Sequence, residues 1–352
     1  AGLEMRQFSD GEGGESLLQQ RLSVSRLVTS AALALALPFA AGAMAAYHYF
    51  NKLPGWAVAP GQDWLSAAAV GLCVAVSALP VLIGLVRELP AHHRRLGQLA
   101  LGVAVIDDAV LWVCLAALLL LASGSGSDGL GAWTGQEIIA VAALAAVAGS
   151  GGLLARRGVV PPVGVLWVVL PVYLAVGTWA SSQLGLHALL GAYFAGVMVP
   201  RPWGARWPVE RVGMLSLLVL APMFFGHSGL RIDGDALGWT SLMAAGGLLL
   251  LSVVTKLVAV LIHPPAASLG VRRTLAVGSL LQCKGLMEIV AATILRDQGL
   301  ISEHAYAALV TLAVLSTTLT GPLFRLCLWR PGGPQLDQGI QGAAASPCAK
   351  RG

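Results

Sequence analysis

Long apolar runs alternate with short polar connections along this chain. The runs fall at roughly 27–50, 62–87, 97–122, 136–155, 159–181, 183–200, 212–230, 237–262, 273–295 and 304–328. Each is near the ~20 residues that an α-helix needs to cross a bilayer. The pattern therefore predicts an all-α polytopic membrane protein of about ten transmembrane helices, the sixth being the shortest. Residues 1–26 are polar, with Glu4, Asp10, Glu12 and Glu15 set against Arg6, Arg21 and Arg26, and read as a cytoplasmic segment. A transmembrane domain is expected over 27–330. Residues 331–352, rich in Gly, Gln and Ala, read as a disordered cytoplasmic tail. The Gly-Ser segment 123–129 reads as a flexible external loop.

Composition agrees with the pattern. Only 11% of residues are charged, 57% are hydrophobic and 43 are glycine, which excludes an ordinary soluble domain. A net charge of +5 raises the question of nucleic acid, but the placement of the charges answers it. Arginines and lysines cluster before the first run and after the second, fourth, sixth, eighth and tenth. Seventeen lie in that set of connections and three (Lys52, Arg231 and Arg296) in the alternate set. This is the positive-inside signature, and it predicts both termini in the cytoplasm of a multi-pass protein of the inner (plasma) membrane, with the bilayer and not nucleic acid as partner. The pair His92-His93 before Arg94-Arg95 reads as part of a positive-inside anchor, with a pH sensor as the sharper alternative. Five cysteines (Cys73, Cys114, Cys283, Cys327 and Cys348) show no CxxC spacing, so neither a disulfide framework nor a zinc site is expected, and no cofactor. No signal peptide is evident, and the chain opens on Ala1, as in a processed or truncated product.

The charges left inside the runs carry the candidate chemistry. Of 22 basic residues, Lys256 and Lys284 alone sit within predicted spans. The third run holds two adjacent acids, Asp107 and Asp108. Intramembrane carboxylates are expensive and usually mark an ion or proton path, although a buried aspartate satisfied by neighbouring helices is the plainer reading. Two side by side repel, and need a cation, a proton or a basic partner. At ~1.5 Å per residue, Asp107 and Asp108 lie roughly 14 Å from the cytoplasmic face, Ser77 roughly 15 Å, Lys284 roughly 16 Å and Lys256 roughly 9 Å. Glu288 lies slightly deeper than Lys284. Acid, base and hydroxyl should meet in one layer.

Two of the helices involved look breakable. The second carries Ser77-Ala-Leu-Pro80, where proline removes a backbone donor. The ninth carries Gln282-Cys-Lys-Gly285. Interrupted helices at membrane depth are tolerated where they are packed in protein or line a cavity. Spans one to three and eight to ten run in opposite senses, each triplet interrupted in its middle member, which predicts an inverted repeat with two broken crossing helices. Glu288 could pair with Lys284 at i,i+4, with structural and gating roles equally open. Thr317, Thr318 and Thr320 read as bonded to backbone carbonyls.

These residues resemble the cation:proton antiporter-2 family of sodium/proton and potassium/proton exchangers. Val76-Ser-Ala-Leu-Pro-Val81 with Arg87-Glu-Leu is similar to that family's first broken helix, and Ala104-Val-Ile-Asp-Asp108 to its paired-aspartate helix. Leu184-Gly-Leu-His-Ala-Leu-Leu-Gly-Ala-Tyr-Phe-Ala-Gly196 and Pro222-Met-Phe-Phe-Gly-His-Ser-Gly-Leu230 resemble two further stretches. Thr255-Lys256 and Lys284-Gly-Leu-Met-Glu288 are similar to the helices bearing the basic partner and the second break. The resemblance implies a secondary antiporter, not an enzyme, in which a core domain rocks against a scaffold. Asp108 would bind Na+, K+ or Li+ in competition with H+, with Ser77 beside it. Asp107 would pair with Lys256, as in relatives that tend to be electrogenic. Pro80, Lys284, Gly285 and Glu288 would shape and gate the broken helices, and a homodimer is a possibility. Gln282-Cys283 stands where relatives more often carry Asn-Thr or Asn-Ser, and Ala78-Leu79 where they carry Ala-Pro. Ala1-Gly-Leu-Glu-Met5 resembles the end of an early family helix, so three helices would precede it in relatives. An inactive fragment is therefore an alternative expectation, as is a channel-like cation pathway. The tail is too short for the nucleotide-binding domain of potassium-efflux relatives. An intramembrane aspartyl protease fits poorly, because consecutive aspartates sit about 100° apart on one helix; solute symport on a similar inverted-repeat fold is an open alternative, but the adjacent acid pair favours exchange of ions.

Overall fold

The computed structural model describes residues 24–58, 61–123, 135–184, 188–204, 208–215, 218–219, 221–230, 232, 234–266 and 269–328. The predicted N-terminal segment (save its last three residues), the tail 331–352 and nearly all of the loop 123–129 lie outside these residues. All regular structure among the described residues is helical. In chain order the helices are α1 (Val24–His48), α2 (Asp63–Ala75), α3 (Leu79–Arg87), α4 (Arg94–Ser123), α5 (Gly135–Arg156), α6 (Val163–Gln183), α7 (Ala188–Met198), α8 (Arg201–Gly204), α9 (Val209–Leu215), α10 (Ala221–Leu230), α11 (Trp239–Ile262), α12 (Val271–Leu280), α13 (Leu286–Asp297) and α14 (Glu303–Leu328).

Among the described residues, six stretches are long and apolar enough to cross a membrane by length and composition: Ser25–Lys52, Asp63–Arg87, Arg94–Ala122, Val163–Gln183, Trp239–Ile262 and Glu303–Leu328. The second of these contains the gap between α2 and α3. Six is fewer than the ten apolar runs, and the helices account for part of the difference. The run at 212–230 is divided between α9 and α10, of 7 and 10 residues. The run at 273–295 is divided between α12 and α13, of 10 and 12 residues. Hydropathy detects apolar length and is blind to where the backbone turns.

The interruptions have local causes. Helix α2 stops at Ala75; Val76 and Ala78 are extended, and Pro80 occupies the first turn of α3. Proline there costs nothing, because the first-turn N–H groups have no intrahelical partner and φ is already helical. Pro80 thus starts the second half of the broken helix rather than cutting the first. Between α12 and α13 the turning residue is Gly285, at φ 148 and ψ −127. Only glycine enters that region without strain, and a Cβ there would also stand 3.1 Å from Val81 Cγ2. A second glycine sets an interhelical distance: a Cβ on Gly71 of α2 would meet the Phe39 carbonyl of α1 at 2.7 Å.

The core is divided into two apolar clusters with a polar layer between them. One cluster holds Leu65, Leu72, Leu111, Leu115, Leu248, Leu295, Tyr306 and Leu312. The other holds Leu79, Leu82, Leu99, Ala104, Val260, Val277, Leu280 and Phe324. Helix α4 leaves the second cluster at Ala104 and joins the first at Leu111, with Asp107 and Asp108 between. The α2–α3 pair changes cluster across Ser77, α11 across Ser252 and Lys256, the α12–α13 pair across Lys284, and α14 across Thr317. Five segments thus place their polar residues at one level. A third, smaller cluster (Leu166, Leu170, Tyr173, Val199 and Trp203) belongs to α6 and its neighbours.

Candidate functional site

The polar layer follows from what a broken helix leaves behind. A helix end exposes carbonyls without intrahelical partners and carries partial negative charge. Here two helix C-termini, those of α2 and α12, end inside the protein. Each is satisfied by a lysine from another segment. Lys284, in the second break, donates from Nζ to the carbonyls of Cys73 and Val74 at 2.8 Å each and of Val76 at 3.3 Å. Ser77, in the first break, stands 2.9 Å from the Leu281 carbonyl. Lys256 of α11 donates to the same carbonyl at 2.9 Å. A backbone bond, Ala78 N–H to the Cys283 carbonyl at 2.7 Å, ties the two breaks together. Buried backbone groups are rarely left unpaired, and this exchange meets that requirement for both interruptions at once.

The acids are attached to this crossing through Ser77. Lys256 Nζ donates to Ser77 Oγ at 2.6 Å, and Ser77 Oγ donates to Asp107 Oδ2 at 3.0 Å. A hydroxyl has one proton; with Lys256 already serving the Leu281 carbonyl, the Ser77 proton is available to Asp107. The direct Lys256–Asp107 pair expected from the sequence is thereby replaced by a relay, since no N···O approach within 4.0 Å joins the two. The break turns Ser77 into the space between them. Asp107 is 1% exposed, and Asp108, Lys256, Lys284 and Glu288 are fully buried. Both oxygens of Asp108, Oδ1 of Asp107 and both oxygens of Glu288 accept no hydrogen bond among the described residues. Glu288 faces Lys284 at 3.7 Å, the i,i+4 pair anticipated from sequence, but the ammonium protons are directed at the three carbonyls. One turn beyond Asp108, Trp112 stacks on Tyr193 of α7 at 4.8 Å between ring centroids.

Ser77, Asp107, Asp108, Lys256, Lys284, Gly285 and Glu288 all lie in the polar layer, with Pro80 just beyond it. Three cross-segment contacts escaped the sequence. Ser252 donates to the Val74 carbonyl at 3.1 Å and approaches Gln282 Oε1 at 3.3 Å. Gln282 returns Nε2 to the Ser252 carbonyl at 3.3 Å. Thr317 bonds the Ala313 carbonyl at 2.8 Å, as expected, and also reaches the Lys284 carbonyl at 2.5 Å. Thr318 and Thr320 bond carbonyls of their own helix alone. A signal for Ser252 existed: it lies four residues before Lys256, on the same helix face. Among the described residues no group of three or more His, Cys, Asp or Glu could hold a resident metal.

Ser77→Ala removes the relay hydroxyl and leaves Asp107 without its donor. The expected loss is about 1–3 kcal/mol for an unsatisfied buried group, read as a lower thermal-unfolding midpoint of detergent-solubilised protein. Ser77→Thr should retain the wild-type midpoint. An unaltered midpoint in the alanine variant would mean that the hydroxyl bridges nothing.

At the arginine-rich end of the layered bundle, His93 packs edge-on to Phe324 at 5.7 Å and lies 3.9 Å from the His92 ring. Burial, then the neighbouring His92 and Arg273, push its pKa below the ordinary 6.5. The folded chain therefore resists a proton that the unfolded chain accepts, and stability falls as pH drops below about 6.5. His93→Gln should flatten that acid limb when unfolding midpoints are compared between about pH 7 and about pH 5. An equally steep limb in the variant would assign the acid sensitivity elsewhere.

Comparison with known proteins gives the same direction as the geometry. The chain is 29% identical over 291 residues to cation/H+ antiporter 19 of Arabidopsis thaliana, covering 77% of this chain and 35% of that protein. It is 27% identical over 316 residues to K+/H+ antiporter 1 of Saccharomyces cerevisiae, covering 83% and 35% respectively. An Na+/H+ antiporter of Enterococcus hirae is 23% identical over 292 residues, covering 77% of this chain and 71% of that one. The chain thus spans about a third of the length of the plant and yeast relatives. Residues 16–330 match the family described as sodium/hydrogen exchanger, transmembrane. With paired acids, buried lysines and two interrupted helices in a multi-pass bundle, this chain belongs to the sodium/hydrogen exchanger family of membrane transporters.

Proposed function

We propose that this chain carries out secondary antiport of a monovalent cation against protons by alternating access, with Asp108 as the shared site. The carrying observation is a fully buried Asp108 with neither oxygen hydrogen-bonded, adjacent in the chain to Asp107, while Lys256 and Lys284 already serve the carbonyls of the crossing. A buried carboxylate is tolerated when paired or neutralised. The layer holds three carboxyls (Asp107, Asp108 and Glu288) against two ammonium groups. With all five ionised it lacks one positive charge, which one monovalent cation or one proton supplies. Two ligands competing for one charge deficit are what coupled exchange requires, and alternating access then links their fluxes. Na+ or K+ is favoured by what the yeast and Enterococcus relatives are named for.

The inverted pairing of spans one to three with eight to ten gives the frame for that motion. The separate cluster around α6 supports a scaffold against which the bundle bearing the polar layer rocks. Ser77 and Asp107 complete the cation and proton site, Lys256 is the basic partner through Ser77, and Pro80, Lys284, Gly285 and Glu288 hold the breaks. The arginine distribution supports both termini in the cytoplasm and the 27–330 domain in the cell membrane.

The test is collapse of a proton gradient in everted vesicles lacking their own exchangers, with Na+, Li+ and K+ added separately across a pH series. A cation-specific collapse supports antiport and names the cation. Ohmic current without proton coupling would favour a channel-like path, and no response from well-inserted protein an inactive chain.

A further inference from the structure

A cavity of about 250 Å³ lies between α3 and α4, lined by Ile83, Val86 and Arg87 of the first and Arg94, Gln98 and Leu101 of the second. Its chemistry is graded. Arg87 ends α3 and Arg94 begins α4, so two guanidinium groups and the Gln98 amide stand at one end. Ile83 lies four residues back along α3 and Leu101 seven residues along α4, which puts the apolar wall roughly 6–10 Å deeper along the helix axes. A polar mouth over an apolar floor, at the terminus of membrane-crossing helices, matches a molecule with a charged head and a hydrocarbon tail. The charge selects its sign. Two arginines disfavour a small cation, which argues against an entry vestibule for the transported ion, and guanidinium groups bind phosphate oxygens with directed paired hydrogen bonds. The mouth lies on the arginine-rich side of the membrane, where anionic headgroups and basic residues meet.

We infer that this cavity is a binding site for an anionic phospholipid, its phosphate held by Arg87 and Arg94 with Gln98 beside them, and its acyl chain laid against Ile83, Val86 and Leu101. The site also touches the function. Residues 94, 98, 101, 105 and 108 recur at three- and four-residue spacing along α4 and so share one face. A lipid seated on the first three stands on the same face as Asp108, and bridges that helix to α3, the second half of the first broken helix. Anionic lipid content would then tune transport without contacting the ion.

The test uses the full chain in detergent. The probes are a short-chain phosphatidylglycerol, the matching phosphatidylcholine and inorganic phosphate, with affinity read from the rise in unfolding midpoint with ligand concentration. Phosphatidylglycerol is expected to bind at least about tenfold more tightly than phosphatidylcholine: both present the phosphate, but the choline trimethylammonium of the second cancels the headgroup's net charge and would be repelled by the two guanidinium groups. Arg87→Gln with Arg94→Gln should remove that preference, Leu101→Trp should weaken binding by filling the floor, and Leu101→Ile should not. Asp108→Asn should bind the lipid as wild type does, so a failed transport reading and a failed lipid reading remain distinct. Equal binding of both lipids, or phosphate binding as strong as that of phosphatidylglycerol, would overturn the inference, the latter by making the site one for free anions. Should the double arginine variant unfold, Leu101→Trp still decides, because wild-type affinity in a folded Leu101→Trp chain removes the acyl subsite.

Discussion

Replacing Asp108 by asparagine is expected to reduce cation-driven proton movement to the level of vesicles lacking the protein, while leaving the fold intact or slightly firmer. The two halves of that expectation have separate physical origins. Asparagine keeps the size and shape of the side chain but can neither ionise nor exchange a proton, so both competing ligands lose their anchor. Stability moves the other way because Asp108 contributes no hydrogen bond from either oxygen, while burial of its charge is unfavourable. With the amide in place, Asp107 and Glu288 balance Lys256 and Lys284, and the layer is neutral without any ion. Transport in vesicles and the thermal midpoint of the purified variant check the two halves. Wild-type exchange by a well-inserted Asp108→Asn protein would remove Asp108 from the mechanism. A midpoint several degrees below wild type would mean that the carboxylate has an unrecognised structural partner.

Asp107, Asp108, Lys256 and Lys284 were legible in the sequence because charge inside an apolar run has no cheap explanation. Helical rise alone put them at similar depth, and the structure brings them into one layer. The breaks were legible in kind but not in detail. Pro80 signals an interruption, yet the chain leaves the helix at Val76 to Ala78 and Pro80 opens the next one. What periodicity missed were the neutral polar residues. Ser252 and Thr317 read like any hydroxyl that bonds its own helix, Gln282 reads as part of the break without its partner on α11, and nothing local distinguishes Thr317, which reaches a carbonyl of a break, from Thr318, which does not. The Lys256–Asp107 relay was hidden for a related reason. Sequence gives depth along a helix, whereas the insertion of Ser77 between two charges depends on how far the break displaces it sideways.

The largest stability effect should come from Lys284. Its ammonium is fully buried, serves three backbone carbonyls and faces Glu288. Lys284→Met removes the ammonium that caps the C-terminal end of α2 and strands a buried carboxyl opposite an apolar side chain. Breaking a buried pair from one side costs on the order of 3–5 kcal/mol, and unpaired carbonyls add roughly 1–3 kcal/mol each where nothing replaces the donor. Against a marginal total of about 5–15 kcal/mol, the variant is expected to yield little folded protein. Size-exclusion profiles of solubilised membranes after a heating series would measure this. Adding Glu288→Gln to Lys284→Met should recover part of the loss, since the stranded charge is gone, but not all of it, because the carbonyls of Cys73, Val74 and Val76 remain without their ammonium. Lys284→Arg should fall between wild type and Lys284→Met: the charge persists, but a planar fork cannot reproduce three converging bonds from one nitrogen. A double variant no better than Lys284→Met would mean that Glu288 is not held by Lys284. A Lys284→Met protein as heat-resistant as wild type would mean that the crossing is stabilised by something other than the lysine that caps it.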